Sequence, residues 1–407
     1  MIQLQDILDA AERIKGAVQR TPCTPSVPLS LATGCEIFCK LEYLQRTGSF
    51  KERGARNALL KLPDKQKRAG VITASAGNHA LGLTYHARLL DIPVTVVMPR
   101  FAPLTKISNC EQMGAKVILE GGNIDEARQH AMKLVEKHAF AYISGFDHPD
   151  VIAGQGTLGL EIMEQVPEFD AIIVPVGGAG LIAGVAVAIK SQKPAVQIIG
   201  VEPRRAASFH AARDAGHPVH VAMQPTLADG LAVPCVGENA FAIARKLVDR
   251  HVLVDEAELA RAVLRLIELE KAVVEGAGAA ALAPLLANLL PELRGKKVVL
   301  PLCGGNIDTN TLGRIIERGL AADRRLCRFS AIISDRPGGL SHFAGLIAEE
   351  GASVHDIEHD RAFATEDITT VTVHCVVETR DFAHIRRLRD RLDREGYRVT
   401  FPDLPLG

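Results

Sequence analysis

The amino-acid sequence predicts an α/β fold in which strands and helices alternate around open parallel sheets, with a smaller unit at the C-terminus. The clearest strand is the apolar, β-branched run at 171–176, which ends in glycines and precedes the apolar helical stretch 181–189. Such runs are typical of strands buried on both faces of a parallel sheet. Two similar runs, 71–74 and 297–301, also end in small or polar residues. Because ligands bind beyond the carboxyl ends of parallel strands, these junctions predict one ligand crevice.

Composition narrows the class of protein. The chain has 407 residues, of which 47% are hydrophobic, and its formal net charge is −1, which argues against nucleic acid as a partner. The basic run 386–391 alternates with acids and apolar residues, as on the solvated face of an amphipathic helix. The eight cysteines lack metal-ligand spacing and indicate free thiols in a reducing compartment, so we expect a cytoplasmic protein. We expect no membrane span, and the start at 1–16 has no signal-peptide pattern.

Lys51 is the first candidate for a catalytic residue. It lies in the segment Gly-Ser-Phe-Lys-Glu-Arg-Gly at 48–54, directly after Phe50 and at the start of a predicted helix, 51–61. An amine that acts as a nucleophile needs a lowered pKa, which desolvation or a nearby positive charge provides. An aromatic neighbour on a tight turn supplies desolvation. The alternative interpretation is an ordinary lysine near a helix start.

The glycine-rich junction at 177–181 predicts an anion site. Backbone N–H groups of such a loop can close on a phosphate, and the N-terminus of the following helix adds about half a positive charge. No Gly-Lys-Ser/Thr follows, and the spacing of Gly178, Gly180 and Gly184 has one residue too many for a dinucleotide fingerprint. Glu202, at the end of the next predicted strand, nevertheless leaves a nicotinamide-dependent oxidoreductase open. A tight turn without any ligand is the other alternative.

Two further loops add to this chemistry. The segment Ser-Ala-Gly-Asn-His at 75–79 opens a predicted helix and offers hydroxyl, amide and backbone donors suited to a carboxylate or a phenolate. The segment Leu-Cys-Gly-Gly-Asn at 302–306 follows the strand 297–301. An amine, a phosphate site and a carboxylate site at one sheet edge together favour pyridoxal 5'-phosphate with an amino-acid substrate.

These four segments resemble those of the fold-type II pyridoxal-phosphate enzymes, and most closely the serine/threonine dehydratase group, over residues 4–320. The resemblance implies a catalytic domain, 1–320, built from two open parallel-sheet α/β subdomains, of which the smaller, mobile one spans about 49–150. It implies that Lys51 forms the Schiff base and is also the general base, that Phe50 packs on the cofactor ring, that Asn78 bonds the cofactor 3-hydroxyl and that Cys303 faces the pyridine nitrogen. The phosphate is then held by the backbone of Gly177, Gly178, Ala179, Gly180 and Leu181. The substrate carboxylate is held by the loop Ser75, Ala76, Gly77, Asn78 and His79.

The activity implied by the resemblance is β-elimination of L-threonine to 2-oxobutanoate and ammonia, and of L-serine to pyruvate. Racemases of the family carry a serine at the position of Ala76, whose methyl group cannot transfer a proton, so a single base favours elimination. Their metal site uses an acid where this chain has Ser208, so we expect no metal. threo-3-Hydroxyaspartate stays open as a substrate, since Arg53, Arg204 or His79 could meet its second carboxylate.

The sequence also allows a specific prediction for each of four single residues. Ala179 stands where the phosphate loop of the family more often has glycine, a mild change provided that its φ is negative. Asp229 is interpreted as a helix cap, and Glu275 is either a helix-start acid or a carboxylate beside the cofactor. Cys303 is a weak neutral partner for a pyridine nitrogen, which disfavours a long-lived carbanion and favours prompt loss of a β-substituent. Its alternative interpretation is a small buried hydrophobe.

The organisation of the chain changes after a predicted linker at 321–326. The elements predicted for 327–407 follow the order βαββαβ, with strands at 327–334, 353–359, 368–377 and 397–401 and helices at 340–350 and 382–395. This order resembles an ACT domain, which implies a regulatory amino acid bound between paired copies and a homo-oligomer, either a dimer or a tetramer. A dimerisation module without a ligand is the alternative, and a non-catalytic amino-acid sensor is the alternative for the chain as a whole.

Overall fold

The computed structural model describes residues 1–361 and 368–402. Its internal contacts divide the chain into two compact units, 1–312 and 313–407. The division falls inside helix Thr309–Ala322. The last residues of the predicted C-terminal domain, 403–407, lie outside the described residues.

The larger unit contains two sheets. Its strands are β1 (Cys23–Ser26), β2 (Glu36–Lys40), β3 (Val71–Ala74), β4 (Val94–Met98), β5 (Lys116–Leu119), β6 (Ala141–Tyr142), β7 (Ala171–Pro175), β8 (Gln197–Pro203), β9 (Arg250–Val254) and β10 (Lys297–Pro301). Six of them form a sheet in the order β1-β2-β10-β7-β8-β9, and four form a sheet in the order β5-β4-β3-β6. All pairs are parallel except β1 with β2. The predicted α/β class with two parallel-sheet subdomains is therefore confirmed.

Helices connect these strands, as parallel pairing requires. They are α1 (Leu4–Ile14), α2 (Val27–Thr33), α3 (Lys51–Lys61), α4 (Asp64–Ala69), α5 (Asn78–Arg88), α6 (Leu104–Gln112), α7 (Ile124–His138), α8 (Pro149–Gln165), α9 (Gly180–Lys190), α10 (Ser208–Ala215), α11 (Glu238–Leu247), α12 (Glu256–Glu270), α13 (Gly276–Ala279), α14 (Ala283–Leu286) and α15 (Thr309–Ala322). Side-chain caps set several starts. Asn123 accepts a hydrogen bond from the backbone at the start of α7, and Asp255 forms a capping box with Glu258 at the start of α12.

The core of the six-stranded sheet explains its long apolar runs. Every residue of β7 is buried, because helices cover both faces of the sheet. Helices α8 and α9 pack closely, and a Cβ atom added to Gly184 would lie 2.3 Å from the backbone oxygen of Ile152. Gly184 therefore serves helix packing rather than a dinucleotide fingerprint.

The smaller unit is a four-stranded antiparallel sheet with two helices. Its elements are β11 (Leu326–Ser334), α16 (Gly339–Glu349), β12 (Ser353–Asp360), β13 (Thr370–Glu378), α17 (Phe382–Arg394) and β14 (Arg398–Thr400). The strand order is β12-β13-β11-β14. Alternate residues of β11 and β13 are buried, and the core includes Phe329, Phe343 and Leu388. The predicted βαββαβ order of elements agrees with this unit, within about two residues at each end.

Two general features concern the described part of the chain. No helix in it is both long and apolar enough to cross a membrane. It also contains no group of three or more histidine, cysteine, aspartate or glutamate side chains arranged to hold a metal ion.

Candidate active site

The four predicted loops meet at one cavity of about 370 Å³ in the larger unit. Strands β3, β7 and β10 all end at this cavity, as expected for parallel strands whose carboxyl ends share one edge. The sequence-predicted site residues that line it are Phe50, Lys51, Ser75, Ala76, Gly77, Asn78, His79, Gly177, Gly178, Ala179, Gly180, Leu181 and Cys303. The structure thus brings together residues that are more than 250 positions apart in the sequence (from Phe50 to Cys303).

The loop that carries Lys51 is held against the loop that follows β10. Backbone N–H of Phe50 donates to the carbonyl of Cys303 at 3.1 Å, and N–H of Gly305 donates to the carbonyl of Gly48 at 2.9 Å. Gly48 has a φ of 75°, which favours glycine. Lys51 consequently enters the cavity from the first turn of α3, beside Cys303.

The amine of Lys51 has the environment that a nucleophile needs. Nζ of Lys51 donates a hydrogen bond to the carbonyl of Gly145 at 2.7 Å. Burial lowers its pKa to about 8, while the carboxylate of Glu275 acts in the opposite direction. Nζ lies 5.1 Å from the centre of the Phe50 ring. A substantial fraction of the amine is therefore neutral near physiological pH.

Arg53 does not line the cavity and lies within a buried ion-pair network. Its guanidinium contacts Glu42 at 2.7 Å and Glu161 at 2.6 Å, and Lys40 contacts the same Glu161 at 2.5 Å. Arg53 and Glu42 are completely buried. Because the guanidinium group is already bound to two carboxylates, Arg53 cannot bind the second carboxylate of threo-3-hydroxyaspartate, which the sequence had left open. The network instead joins α3 to α8 and to the segment after β2.

Asn78 lies at the start of α5 and is held at both ends of its amide. Nδ2 of Asn78 donates to Oε1 of Glu275 at 2.6 Å, and Nδ2 of Asn306 donates to Oδ1 of Asn78 at 2.8 Å. Burial raises the pKa of Glu275 to about 7, with a further upward effect of Asp229, whereas Asn78, Lys106 and Lys51 lower it. Glu275 precedes α13 but its side chain makes no helix cap there. Its carboxylate instead lines the cavity, which agrees with the expectation of a carboxylate beside the cofactor rather than with that of a helix-start acid.

Asn306 and Gly145 are site residues that the sequence analysis did not single out. Both lie in segments that connect elements, and neither belongs to a chemically reactive residue type. The position of Asn306 at the end of the Leu-Cys-Gly-Gly-Asn segment was a usable signal, because a side-chain amide after two glycines at a strand end can bond neighbouring loops. The carbonyl of Gly145 offered no such signal, since every residue has one.

Ala179 does not meet the condition under which its methyl group would be a mild change. Its φ is 70°, in the left-handed region, where the methyl group costs about 1 kcal/mol or more relative to glycine. Helix α9 begins at the next residue, Gly180. Added Cβ atoms at Gly178 and Gly180 would lie 2.2 and 2.3 Å from atoms of Phe146, so both positions need glycine. The strained turn exposes the first N–H groups of α9, which have no acceptor within the helix.

All five residues of the loop 75–79 line the cavity. Oγ of Ser75 accepts a hydrogen bond from N–H of Gly77 at 3.3 Å. His79 is buried, and its Nε2 lies 3.0 Å from the carbonyl of Ile143. Burial, helped by the charge of Lys51, lowers the pKa of His79 to about 3, so its ring is neutral. A carboxylate in this position would therefore be bound by N–H groups at the start of α5 rather than by a charged imidazole.

The thiol of Cys303 is buried and lines the cavity. Sγ of Cys303 donates to the carbonyl of Pro301 at 3.4 Å, and burial raises the pKa of this thiol well above its usual value. The thiol is therefore neutral, as expected for Cys303.

Asp229 makes no helix cap, and its carboxylate instead accepts a hydrogen bond from Lys106 at 2.9 Å.

Glu202 lies outside the cavity, which removes the basis of the oxidoreductase interpretation. It is completely buried, and its two oxygens accept hydrogen bonds from backbone N–H of Phe209 at 2.8 Å and of His210 at 2.9 Å. Glu202 therefore caps the start of α10, and its oxygens are not available to a ribose.

Comparison with known proteins agrees with this geometry. The sequence profile of the family described as "Pyridoxal-phosphate dependent enzyme" matches residues 14–304. The chain belongs to this family. An L-threonine ammonia-lyase from Thermotoga maritima is 44% identical over 399 residues, which cover 98% of this chain and 99% of that protein.

Solved structures of this family are also similar to the larger part of the chain. The processed form of threonine deaminase isoform 2 from Solanum lycopersicum is 38% identical, with a TM-score of 0.73, and the match covers 77% of this chain and 92% of that chain. Maize serine racemase is 34% identical, with a TM-score of 0.74 and coverage of 78% and 98%. The family therefore includes both lyases and racemases.

The residues present fit pyridoxal phosphate, the cofactor of this family. A partly neutral lysine amine, an amide N–H of Asn78 and a neutral thiol line one cavity. The turn at 177–180 opens onto the same cavity without any side chain larger than a methyl group, so a phosphate group can approach its backbone. Lys51 would hold the aldehyde carbon of the cofactor, Asn78 its 3-hydroxyl and the 177–181 loop its phosphate.

Proposed function

We propose that this protein is a threonine ammonia-lyase, which converts L-threonine to 2-oxobutanoate and ammonia and L-serine to pyruvate and ammonia. The observation that carries this proposal is the buried amine of Lys51, with a pKa lowered to about 8, in one cavity with Asn78 and the 177–181 loop. The name of the Thermotoga maritima relative, which matches almost the whole chain, supports the choice of substrate.

Lys51 has two roles in this proposal. It would hold the cofactor, and as a free amine it would be the base that takes the Cα proton of the substrate. When bound, pyridoxal phosphate withdraws electrons from the substrate Cα and so makes that proton acidic. A lysine with a lowered pKa is suited to both roles, because a larger fraction of it is the free amine near neutral pH than for an ordinary lysine.

The groups around Lys51 set the outcome of the reaction. The electron pair left at Cα forms a double bond to Cβ as the β-hydroxyl leaves with a proton, as water. The released aminocrotonate reacts with one water and gives 2-oxobutanoate and ammonia, so the overall reaction neither consumes nor produces water. The neutral thiol of Cys303 holds no charge at the cofactor ring, which favours prompt loss of the hydroxyl over a long-lived carbanion.

Ala76 supports elimination rather than racemisation. Racemisation needs a second proton donor on the face of Cα opposite to the base, and the methyl group of Ala76 lines the cavity where such a donor would be expected. We therefore expect L-serine to yield pyruvate without D-serine.

A related dicarboxylate, threo-3-hydroxyaspartate, is a second candidate substrate. Two cationic residues, Lys106 and Arg128, line the cavity and could attract a second carboxylate. Lys106 is already paired with Asp229, which weakens its attraction for another anion. Comparison of kcat/KM for L-threonine and threo-3-hydroxyaspartate tests this candidate, and a value at least as high for the dicarboxylate would favour it.

The smaller unit is proposed to be an ACT-like regulatory domain. The support is its antiparallel sheet with strand order β12-β13-β11-β14, covered by α16 and α17. We propose that the chain forms a homo-oligomer in the cytoplasm and that an amino-acid effector changes its activity. Initial rates of the full-length enzyme with and without added isoleucine or valine, combined with sedimentation analysis, test both points.

The decisive experiment is the visible spectrum of the purified protein before and after borohydride, followed by keto-acid release from L-threonine. We expect a yellow protein whose colour borohydride removes, with the modification mapped to Lys51. We expect Lys51→Ala to fold, as judged by circular dichroism, and to form no detectable 2-oxobutanoate. A colourless protein that takes up no pyridoxal phosphate, or a Lys51→Ala variant as active as the wild type, would refute the proposal.

A further inference from the structure

We infer that Asn306 is a positioning residue, which holds the amide of Asn78 in one orientation and ties it to the loop that carries Lys51. The inference rests on the proposed function, because it assigns the purpose of this arrangement to a reaction at Lys51. It concerns a side chain that itself contacts neither the amine of Lys51 nor the phosphate loop.

The amide nitrogen of Asn306 joins two segments. It donates one hydrogen bond to the carbonyl of Thr47 at 2.6 Å and another to Oδ1 of Asn78 at 2.8 Å. Asn78 in turn donates from Nδ2 to Oε1 of Glu275 at 2.6 Å. A continuous chain of hydrogen bonds therefore runs from Thr47 through Asn306 and Asn78 to Glu275, across four loops that meet at the cavity.

The direction of this chain is determined by its ends. The carbonyl of Thr47 can only accept, so the nitrogen of Asn306 must face it. That nitrogen has two hydrogens, and the second one points to Asn78, which must then present its oxygen. The nitrogen of Asn78 consequently faces Glu275, which accepts in its ionised form. No other assignment of the two amides satisfies all three hydrogen bonds.

This orientation leaves one hydrogen of Asn78 Nδ2 free. Asn78 lines the cavity, so the free N–H is available to an oxygen of a bound ligand, such as the cofactor 3-hydroxyl. If the amide turned over, Asn78 would present its oxygen instead, which cannot donate to a phenolate. Asn306 therefore selects the donor orientation of a residue that the proposed function places against the cofactor.

Two glycines provide the space for this arrangement. A Cβ atom on Gly48 would lie 2.7 Å from Oδ1 of Asn306, and one on Gly304 would lie 2.4 Å from Oε1 of Glu275. Both side chains thus pack directly on bare backbone. The close approach restricts the rotation of the Asn306 and Glu275 side chains, so these hydrogen bonds have little freedom to rearrange.

The same contact restrains Lys51. Thr47 lies four residues before Lys51, and its N–H donates to the buried carboxylate of Glu52 while its carbonyl accepts from Asn306. The backbone on the N-terminal side of Lys51 is therefore held from both sides. Asn306 joins this loop to Asn78, so displacement of its side chain is expected to move the two cofactor contacts relative to each other.

The test compares the full-length holoenzyme with Asn306→Ala and Asn306→Asp. Matched controls are Asn310→Ala and Asn310→Asp, which change the same residue type at an exposed position four residues later. The readouts are the visible absorption maximum of the bound cofactor as a function of pH, the affinity for pyridoxal phosphate, kcat and KM for L-threonine, and the midpoint of thermal unfolding.

We expect both Asn306 variants to shift the absorption maximum or its pH dependence and to lower kcat roughly 10-fold or more, with a smaller change in KM. Asn306→Asp should be the more damaging, because its carboxylate repels the oxygens of Thr47 and Asn78 and attracts the nitrogen of Asn78 away from Glu275. The Asn310 variants should match the wild type.

Two results would overturn the inference. One is an unchanged spectrum and kcat in both Asn306 variants, and the other is a loss of activity that follows thermal stability alone while the spectrum of the folded fraction is unchanged. Since the wild type is measured in parallel, failure of the proposed function is recognised separately, as a wild-type protein that takes up no pyridoxal phosphate.

Discussion

The side-chain amine of Lys51 and the backbone carbonyl of Gly145 are joined by a hydrogen bond of 2.7 Å. Gly145 lies shortly after β6, in the four-stranded sheet, whereas Lys51 begins α3 after a loop bound to the end of β10. The bond therefore places the amine where the two sheets of the larger unit meet.

Gly145 leaves little space for a side chain. A Cβ atom there would lie 3.0 Å from Cγ of His79, a buried ring held by the carbonyl of Ile143, so Gly145→Ala must displace either the ring or the carbonyl that binds Lys51. We expect kcat for L-threonine to fall roughly 10-fold or more. Gly313→Ala is the control, because a Cβ atom there has no neighbour within 4 Å, and equal kcat in the two variants would contradict the prediction.

The uptake of cofactor by the apoprotein is expected to depend on pH through Lys51. Burial lowers the pKa of this amine to about 8, and only the neutral amine can attack an aldehyde. The rate of reconstitution with pyridoxal phosphate should therefore rise as pH increases through about 8 and then level off. A rate that keeps rising up to the ordinary pKa of lysine, 10.5, would show that burial does not lower this pKa.

The carboxyl group of Glu275 is expected to destabilise the apoprotein at alkaline pH. Its folded-state pKa of about 7 lies above the ordinary value of 4.5, so the folded protein binds more protons than the unfolded chain between these values, and stability falls as pH rises through this window. Glu275→Gln removes this loss. The free energy of unfolding of the variant, relative to that of the wild type, should be roughly 1–3 kcal/mol higher at about pH 8 than at about pH 5.

Urea unfolding of both apoproteins at the two pH values measures this difference. A gain that is the same at both pH values would show that the effect comes from packing rather than from ionisation. The holoenzyme is not suitable for this comparison, because the cofactor adds its own binding energy and charge.

The ion pair of Arg53 is expected to be structural. Arg53→Ala would leave Glu42 buried and without its bidentate partner, which should lower the free energy of unfolding by about 3–5 kcal/mol. Arg20→Ala removes an exposed pair with Glu164 and should cost less than about 1 kcal/mol. Thermal and urea unfolding of the two variants provide the comparison, and similar losses in both would contradict this interpretation.

The residues of the candidate site were predictable because they follow local rules. A buried β-branched strand that ends in glycines or small polar residues marks a strand–helix junction, and parallel strands bring such junctions to one edge. This reasoning placed Asn78, the 177–181 loop and Cys303 in one crevice, the resemblance to the family added Lys51, and the cavity contains them all. Their individual roles stay predictions.

Some local features could not be predicted because they depend on neighbours. The turn that contains Ala179, whose φ is positive, packs through Gly178 and Gly180 against Phe146, a residue more than thirty positions earlier. Arg53 and Glu202 were open as ligand-binding residues in the sequence, and only their buried partners show that both have structural roles. A single charged residue in a sequence does not reveal which charge lies opposite to it.

The sequence by itself determined the class of fold, the order of elements in the smaller unit and the set of loops at which chemistry can occur, because hydrophobic period, glycine positions and residue type are local properties. Only the tertiary structure decided how those loops are coupled: the carbonyl of Gly145 at the amine of Lys51, and the chain from Thr47 through Asn306 and Asn78 to Glu275. These contacts join residues up to 259 positions apart. Hydrogen-bond direction and pKa depend on the distances and burial that packing creates, so they exist only once the chain has folded.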